Sequence, residues 1–195
     1  NDIVNNTDGS MVWSLDGEGF YFIKMDDNHR PSSLWFHKVN TKEDEDYEIY
    51  SEEDTGYFLS ISETLNKRFL ILSIHNHETS EVRVIDQKKV IKELKLFTKR
   101  RHGIEYSIEH DQENSRFIIL TNINNAVDYK IMETEENSLG HDNWSDFIPH
   151  QEGVLITDFS CLKDFIIVQE LEDGIPSISS INKKDNSRNV IKFNE

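Results

Sequence analysis

The sequence holds a single cysteine, Cys161, so no disulfide can close within the chain and no cysteine-built metal site exists. A reducing compartment suits such a chain, and the cytoplasm is the expected location. Phe159, Leu162 and Phe165 flank Cys161, which reads as a buried, inert thiol and not as a nucleophile. Long apolar runs are missing too. No stretch approaches the ~18–20 residues of a membrane span and no signal-peptide pattern opens the chain, so no membrane partner is expected. Positive charge is the third shortage: 21 basic against 37 acidic side chains leave a net charge of −16 over 195 residues. That balance argues against a nucleic-acid partner held through its phosphates. It suits plain solubility, or attraction of a basic partner or substrate.

Catalytic signatures are equally scarce. There is no Gly-x-Ser-x-Gly elbow, no Walker loop, no Gly-x-Gly-x-x-Gly and no His-Glu-x-x-His, and the missing elbow excludes the strained strand-to-helix turn that α/β-type serine hydrolases need. No catalytic residue, metal site or cofactor is expected. His75-Asn76-His77 would put two imidazoles on one face of a strand. No third ligand is placed by sequence, so they read as solvated loop histidines. Glu52-Glu53-Asp54 follows a strand and reads as turn decoration.

What the chain does have is a repeat. Arg68-Phe-Leu-Ile-Leu-Ser-Ile74 reads as a buried strand, and it has counterparts in Gly19 to Lys24, Arg116 to Leu120 and Asp164 to Val168. Their phenylalanines, Phe20, Phe69, Phe117 and Phe165, are spaced 49, 48 and 48 residues apart. A strand-bearing unit recurring at that step points to propeller blades. The expected fold is all-β: a partial β-propeller of about four consecutive four-stranded antiparallel blades, with blade-like units at 10–50, 57–97, 104–148 and 154–193.

Within the units the strands follow from alternation and turn residues. The first unit reads as strands 10–15, 20–25, 33–39 and 47–50, with a loop at 26–31 ending in Pro31 and an acidic loop at 42–46. The second reads as 57–62, 69–74, 81–85 and 93–97; Val90, Ile91, Leu94 and Phe97 also fall at helical spacing, so a short helix competes with its last strand. The third reads as 104–109, 117–120, 128–132 and a weak 145–148. The fourth reads as 154–159, 165–169, 177–181 and 189–193, with Glu172-Asp173-Gly174 as a tight hairpin turn. Asn1 and the uncapped ends read as a piece of a longer polypeptide. An open arc would leave the outer faces of the first and last units uncovered, which predicts self-association.

Lys99-Arg100-Arg101-His102-Gly103-Ile104-Glu105-Tyr106-Ser107-Ile108-Glu109-His110 resembles the Arg-Arg-x-x-x-Glu-Tyr-x-x-x-His segment in the propeller of the oligopeptidase B (protease II) branch of the prolyl oligopeptidase family. Thr79-Ser80-Glu81-Val82-Arg83 is similar to the family's Thr-Ser-Glu-Val-Arg, and Phe20-Tyr21-Phe22 leading to Leu34-Trp35-Phe36-His37 resembles its Tyr-Tyr…Val-Trp-x-His. Trp144 to Pro149 and Ile175 to Ile178 fall where its next blade would continue. The resemblance spans essentially the whole chain.

It implies a serine peptidase that pairs a seven-bladed propeller with an α/β-hydrolase domain, admits only short peptides and cuts after Arg or Lys. The Ser-Asp-His triad would lie in that other domain, which is absent here, so this chain alone should be inactive. The implied partners are the missing C-terminal peptidase domain and short basic peptides. Arg100, Arg101 and Glu105 are the candidates for the substrate gate or the domain interface. The alternative is that they pair with neighbouring blades and only stabilise the arc. A free-standing interaction scaffold, or a carbohydrate- or metabolite-binding propeller, are the competing functions.

Overall fold

The computed structural model describes residues 2–192. Its sixteen strands form four sheets of four, each a meander in which sequence neighbours pair antiparallel. The first sheet is β1 (Thr7–Trp13), β2 (Gly19–Met25), β3 (Pro31–Lys38) and β4 (Tyr47–Ser51). The second is β5 (Phe58–Glu63), β6 (Phe69–His75), β7 (Ser80–Asp86) and β8 (Lys95–Leu96). The third is β9 (Tyr106–Asp111), β10 (Arg116–Thr121), β11 (Lys130–Glu135) and β12 (Ser145–Ile148). The fourth is β13 (Val154–Cys161), β14 (Phe165–Glu172), β15 (Ile175–Asn182) and β16 (Arg188–Val190). Among the described residues the only helix is two single 3-10 turns, Glu43–Glu45 and His141–Asn143. The fold is a partial β-propeller, as the repeat predicts.

The chain divides into two compact units, residues 1–103 and 104–195. Each is a pair of sheets sharing one core. In the first, Val12, Tyr21, Ile23 and Leu34 of the first sheet pack on Leu59, Leu70, Leu72, Ile74 and Ile85 of the second. In the other, Ile118, Leu120 and Ile131 pack on Ile156, Phe159, Cys161, Ile166, Val168 and Ile181. The two-residue period of a strand puts these side chains on one face, and each such burial contributes about 1.5–3 kcal/mol.

The repeat extends to turn chemistry. In the turn after β1, Ser14 Oγ donates to Asp16 Oδ1 at 2.6 Å and accepts from the Gly19 amide at 3.1 Å. After β5, Thr64 Oγ1 donates to Asn66 Oδ1 at 2.8 Å and accepts from the Phe69 amide at 3.1 Å. Both turns place a residue in the left-handed region, Gly17 at φ +71° and Lys67 at φ +59°. A hydroxyl that caps the strand exit from inside the fold thus recurs fifty residues on.

Several local expectations differ from the fold. β1 begins at Thr7, three residues before Ser10, because the chain continues past a register irregularity between Thr7 and Met11. Pro31, read as the end of a loop, opens β3 opposite Met25, at a strand's first residue, where a missing amide costs no ladder bond. The competing helix over 90–97 does not form. The outer strand there shrinks to Lys95–Leu96, while Val90 and Ile91 stand exposed in the preceding turn. The last expected strand, 189–193, ends at Val190, and its Phe193 lies outside the described residues.

Candidate functional site

Arg100 lies on the segment that leaves β8, within the first unit. Its Nη2 donates to Glu52 Oε2 at 2.5 Å and its Nε donates to Glu81 Oε2 at 3.2 Å. The guanidinium carbon sits 4.2 Å from the centroid of the Tyr57 ring. Glu52 and Glu81 are each only 7% exposed, against 26% for Arg100. Glu52 belongs to the connection from β4 to β5 and Glu81 to β7, so one planar cation ties the two sheets of the unit together.

Neighbouring groups complete the seam. The Tyr50 hydroxyl donates to Glu52 Oε2 at 2.9 Å and the Asp54 amide to Glu52 Oε1 at 3.0 Å. Arg83 Nε donates to Glu81 Oε1 at 3.0 Å, and its guanidinium lies over the Tyr50 ring at 4.6 Å. Arg30 donates to the Glu52 carbonyl at 3.0 Å and the Tyr57 carbonyl at 2.9 Å while pairing with Asp26. Burial by itself would disfavour the charge on Arg100, but Glu52 and Glu81 outweigh it and raise its pKa above the ordinary arginine value. Burial would likewise push the Glu52 carboxyl up; Arg100, the Asp54 amide and the Tyr50 hydroxyl hold it below its usual range. Tyr50 is pushed up to about 12 by burial and by the Glu52 carboxylate.

Glu52 therefore corrects the sequence reading. It is a nearly buried ionic anchor, not turn decoration, because its partner enters from 48 residues away. Arg101 is exposed at the turn that follows Arg100. Glu105 falls in the second unit, immediately before β9. Its carboxylate accepts the Tyr129 hydroxyl at 2.7 Å and its amide donates to Asn122 Oδ1 at 2.9 Å. Tyr129 is held at φ +61°, unusual for a bulky residue, and burial with the Glu105 carboxylate pushes its hydroxyl up to about 12.

A second ionic centre was invisible in the sequence. Asp111, at the end of β9, is fully buried and accepts from Lys183 Nζ at 2.8 Å, Arg116 Nε at 2.9 Å and Asn114 Nδ2 at 2.8 Å. Lys183 comes from the turn after β15, so Asp111 ties the third sheet to the fourth. Arg116 also pairs with Glu133. Burial opposes the Asp111 charge, but Lys183, Asn114 and Arg116 outweigh it and lower its pKa. Two histidines of the motif segments are buried in the same manner. His37 Nδ1 lies 2.6 Å from Asp46, and His110 Nε2 lies 3.1 Å from Glu136. His75 ends β6 and His77 is exposed in the bend beyond it. Cys161 is 6% exposed, and burial raises its thiol pKa.

The arrangement has the chemistry of a scaffold: buried ion pairs that lock sheet to sheet. The family model for the prolyl oligopeptidase N-terminal β-propeller domain matches residues 1–194. The chain belongs to the prolyl oligopeptidase family of serine peptidases, within that propeller domain. It is 26% identical over its whole length to dipeptidyl aminopeptidase BI of Pseudoxanthomonas mexicana, covering 26% of that protein. It is 26% identical to protease 2 of Moraxella lacunata over 87% of this chain and 24% of the relative. Oligopeptidase B from Trypanosoma brucei, solved in a closed form with covalently bound antipain, superposes with a TM-score of 0.90 at 26% identity, over 98% of this chain and 28% of that one. The chain thus spans about a quarter of the length of these relatives. Glu81, Arg83 and Arg100 all lie in the segments that carry the resemblance, which was the available signal for the seam; Glu52 and Asp111 had none.

Proposed function

We propose that this chain is the substrate-gating propeller portion of a cytoplasmic serine oligopeptidase of the oligopeptidase B type, whose full-length form hydrolyses short peptides after Arg or Lys. The observation that carries this reading is the propeller match over residues 1–194 in a chain without a nucleophile elbow. Its likenesses to protease 2 and to oligopeptidase B support the branch. The mechanism is steric and electrostatic. Sheets locked by ion pairs make a rigid wall that excludes folded chains, and a net charge of −16 raises the local concentration of cationic peptides.

Of the three candidate residues, Arg100 is committed to the seam between two sheets. Glu105 holds the Tyr129 hydroxyl within the second unit, and Arg101, which is exposed, is the one we assign to the interface with the peptidase domain. The test is to express the whole reading frame around this chain. Fluorogenic peptides ending in Arg or Lys should be cleaved and neutral ones spared, and the 195-residue chain alone should give no turnover. Arg101→Ala in the full-length protein should lower the rate of hydrolysis; an unchanged rate with a lowered melting temperature would give Arg101 a structural role instead. A reading frame lacking the elbow, with no hydrolysis, would leave a free-standing interaction scaffold instead. Turnover by the isolated chain would overturn the assignment of chemistry to another domain.

A further inference from the structure

Val90 is 100% exposed and Ile91 is 81% exposed. They stand side by side in the loop between β7 and β8, directly after Lys88 and Lys89, which are exposed as well. Both ends of this loop are held. On the incoming side, the Gln87 side-chain amide accepts from the Leu15 amide at 3.0 Å and donates to the Lys67 carbonyl at 3.4 Å. On the outgoing side Lys92 pairs with Asp16, Leu94 packs against the core of the first unit, and β8 pairs with β7. Phe97 follows at 1% exposure, its amide donating to the Val82 carbonyl at 2.9 Å. Between these anchors the Lys88 and Lys89 amides donate back to Asp86, each at 3.1 Å, and the tip stands in solvent.

An endopeptidase binds its substrate extended, with the scissile bond and its neighbours lifted off the fold, so a cut needs slack on both sides of the bond. Exposed basic residues elsewhere are pinned more closely. Arg101 lies between Arg100, bound to Glu52 and Glu81, and Gly103, whose amide donates to Thr79 Oγ1 at 3.0 Å. The Lys67 amide donates to the Thr64 carbonyl at 2.7 Å, and its carbonyl accepts from Gln87. Lys184 sits in a turn closed by the Asn186 amide on the Asn182 carbonyl at 2.8 Å. We propose that the β7–β8 loop is a processing site, where a lysine-directed endopeptidase hydrolyses the Lys89–Val90 bond and leaves a two-chain unit that stays assembled. Water adds its oxygen to the Lys89 carbonyl carbon and the C–N bond breaks. Lys89 ends as a carboxylate and Val90 as an ammonium, both at exposed positions, so neither new charge is buried. The halves remain joined because β7 and β8, on opposite sides of the cut, pair with each other. An oligopeptidase that admits only short peptides would not reach this loop on a folded chain, so the cut belongs to an endopeptidase with an open cleft.

The test is brief digestion of the 195-residue chain with a lysine-specific endopeptidase at low ratio, followed by mass spectrometry and gel filtration. The first products should be residues 1–89 and 90–195, the second beginning at Val90. They should co-elute under native conditions and separate in denaturant. Lys88→Gln alone should leave the first cut in place. The double variant Lys88→Gln/Lys89→Gln should slow loss of the intact chain on the order of tenfold, because every remaining site waits for a rarer local opening. Both changes are at exposed positions, and melting curves that match wild type show that the variants fold. A first cut at any bond other than Lys89–Val90 overturns the proposal, and so does a double variant digested at the wild-type rate. Fragments that part without denaturant overturn the claim that the unit survives the cut.

Discussion

Replacing Arg100 with Met is the sharpest test of how the first unit is held together. The substitution keeps most of the side chain's apolar length and removes only the guanidinium, leaving Glu52 at 7% exposure without a cation and Glu81, also at 7%, with Arg83 alone. Breaking a buried pair in this way costs about 3–5 kcal/mol. Arg100 is itself a quarter exposed, so water screens part of the loss and the lower end, about 3 kcal/mol, applies. For a unit of 103 residues that is roughly 15 °C in melting temperature. Circular dichroism melts of wild type, Arg100→Met and the triple variant Arg100→Met/Glu52→Gln/Glu81→Gln measure it. The triple variant should recover more than half of the loss, because the penalty is the stranded charge and not the missing bond. The pH dependence has a definite sign. The folded pKa of Glu52 is depressed, so the advantage of wild type over Arg100→Met is present above the unfolded Glu value near 4.3. It is lost as pH falls through the folded value. A melting shift under about 3 °C, or a triple variant no better than the single one, would refute the reasoning.

Asp111→Asn should destabilise the second unit by about 3 kcal/mol or more, since it strands Lys183 at 5% exposure beside Arg116. Its folded pKa is also depressed, so the wild-type advantage should be present above about pH 4 and vanish on acidification, as read in urea titrations at stepped pH. Gly19→Ala should cost about 3 kcal/mol in chemical denaturation, because a Cβ there would stand 2.2 Å from the His37 carbonyl and 2.4 Å from the Phe36 ring. Gly56→Ala meets only the Asp54 side chain at 3.2 Å and should move the midpoint by under about 0.5 kcal/mol. Cys161, buried and with its thiol pKa raised, should react with a chromogenic disulfide only after denaturant is added. Prompt labelling of the native chain would contradict its placement in the core.

The four-fold recurrence of Phe20, Phe69, Phe117 and Phe165 determined the fold class and the order of the strands from the sequence alone. Alternation is a local property: a strand's two-residue period writes its buried face into consecutive residues, and a turn hydroxyl such as Ser14 or Thr64 sits beside the bonds it makes. Strand ends were less legible. At Thr7, Pro31 and Lys95 the boundary depends on whether a neighbouring strand continues far enough to pair, and pairing partners are set across the sheet. The family could be read because motif residues such as Glu81, Arg100 and His110 keep their order and spacing.

Their roles could not be read that way. Arg100 has the same sequence surroundings whether it faces a substrate or two carboxylates 48 and 19 residues away, and only packing of the two sheets brings Glu52 and Glu81 to it. Asp111 meets Lys183 across 72 residues for the same reason. Short-range pattern is enough to choose strands, since apolar burial depends on which face a residue occupies. Which charge neutralises which is a matter of distance and dielectric in the assembled core, and those exist only once the sheets have packed.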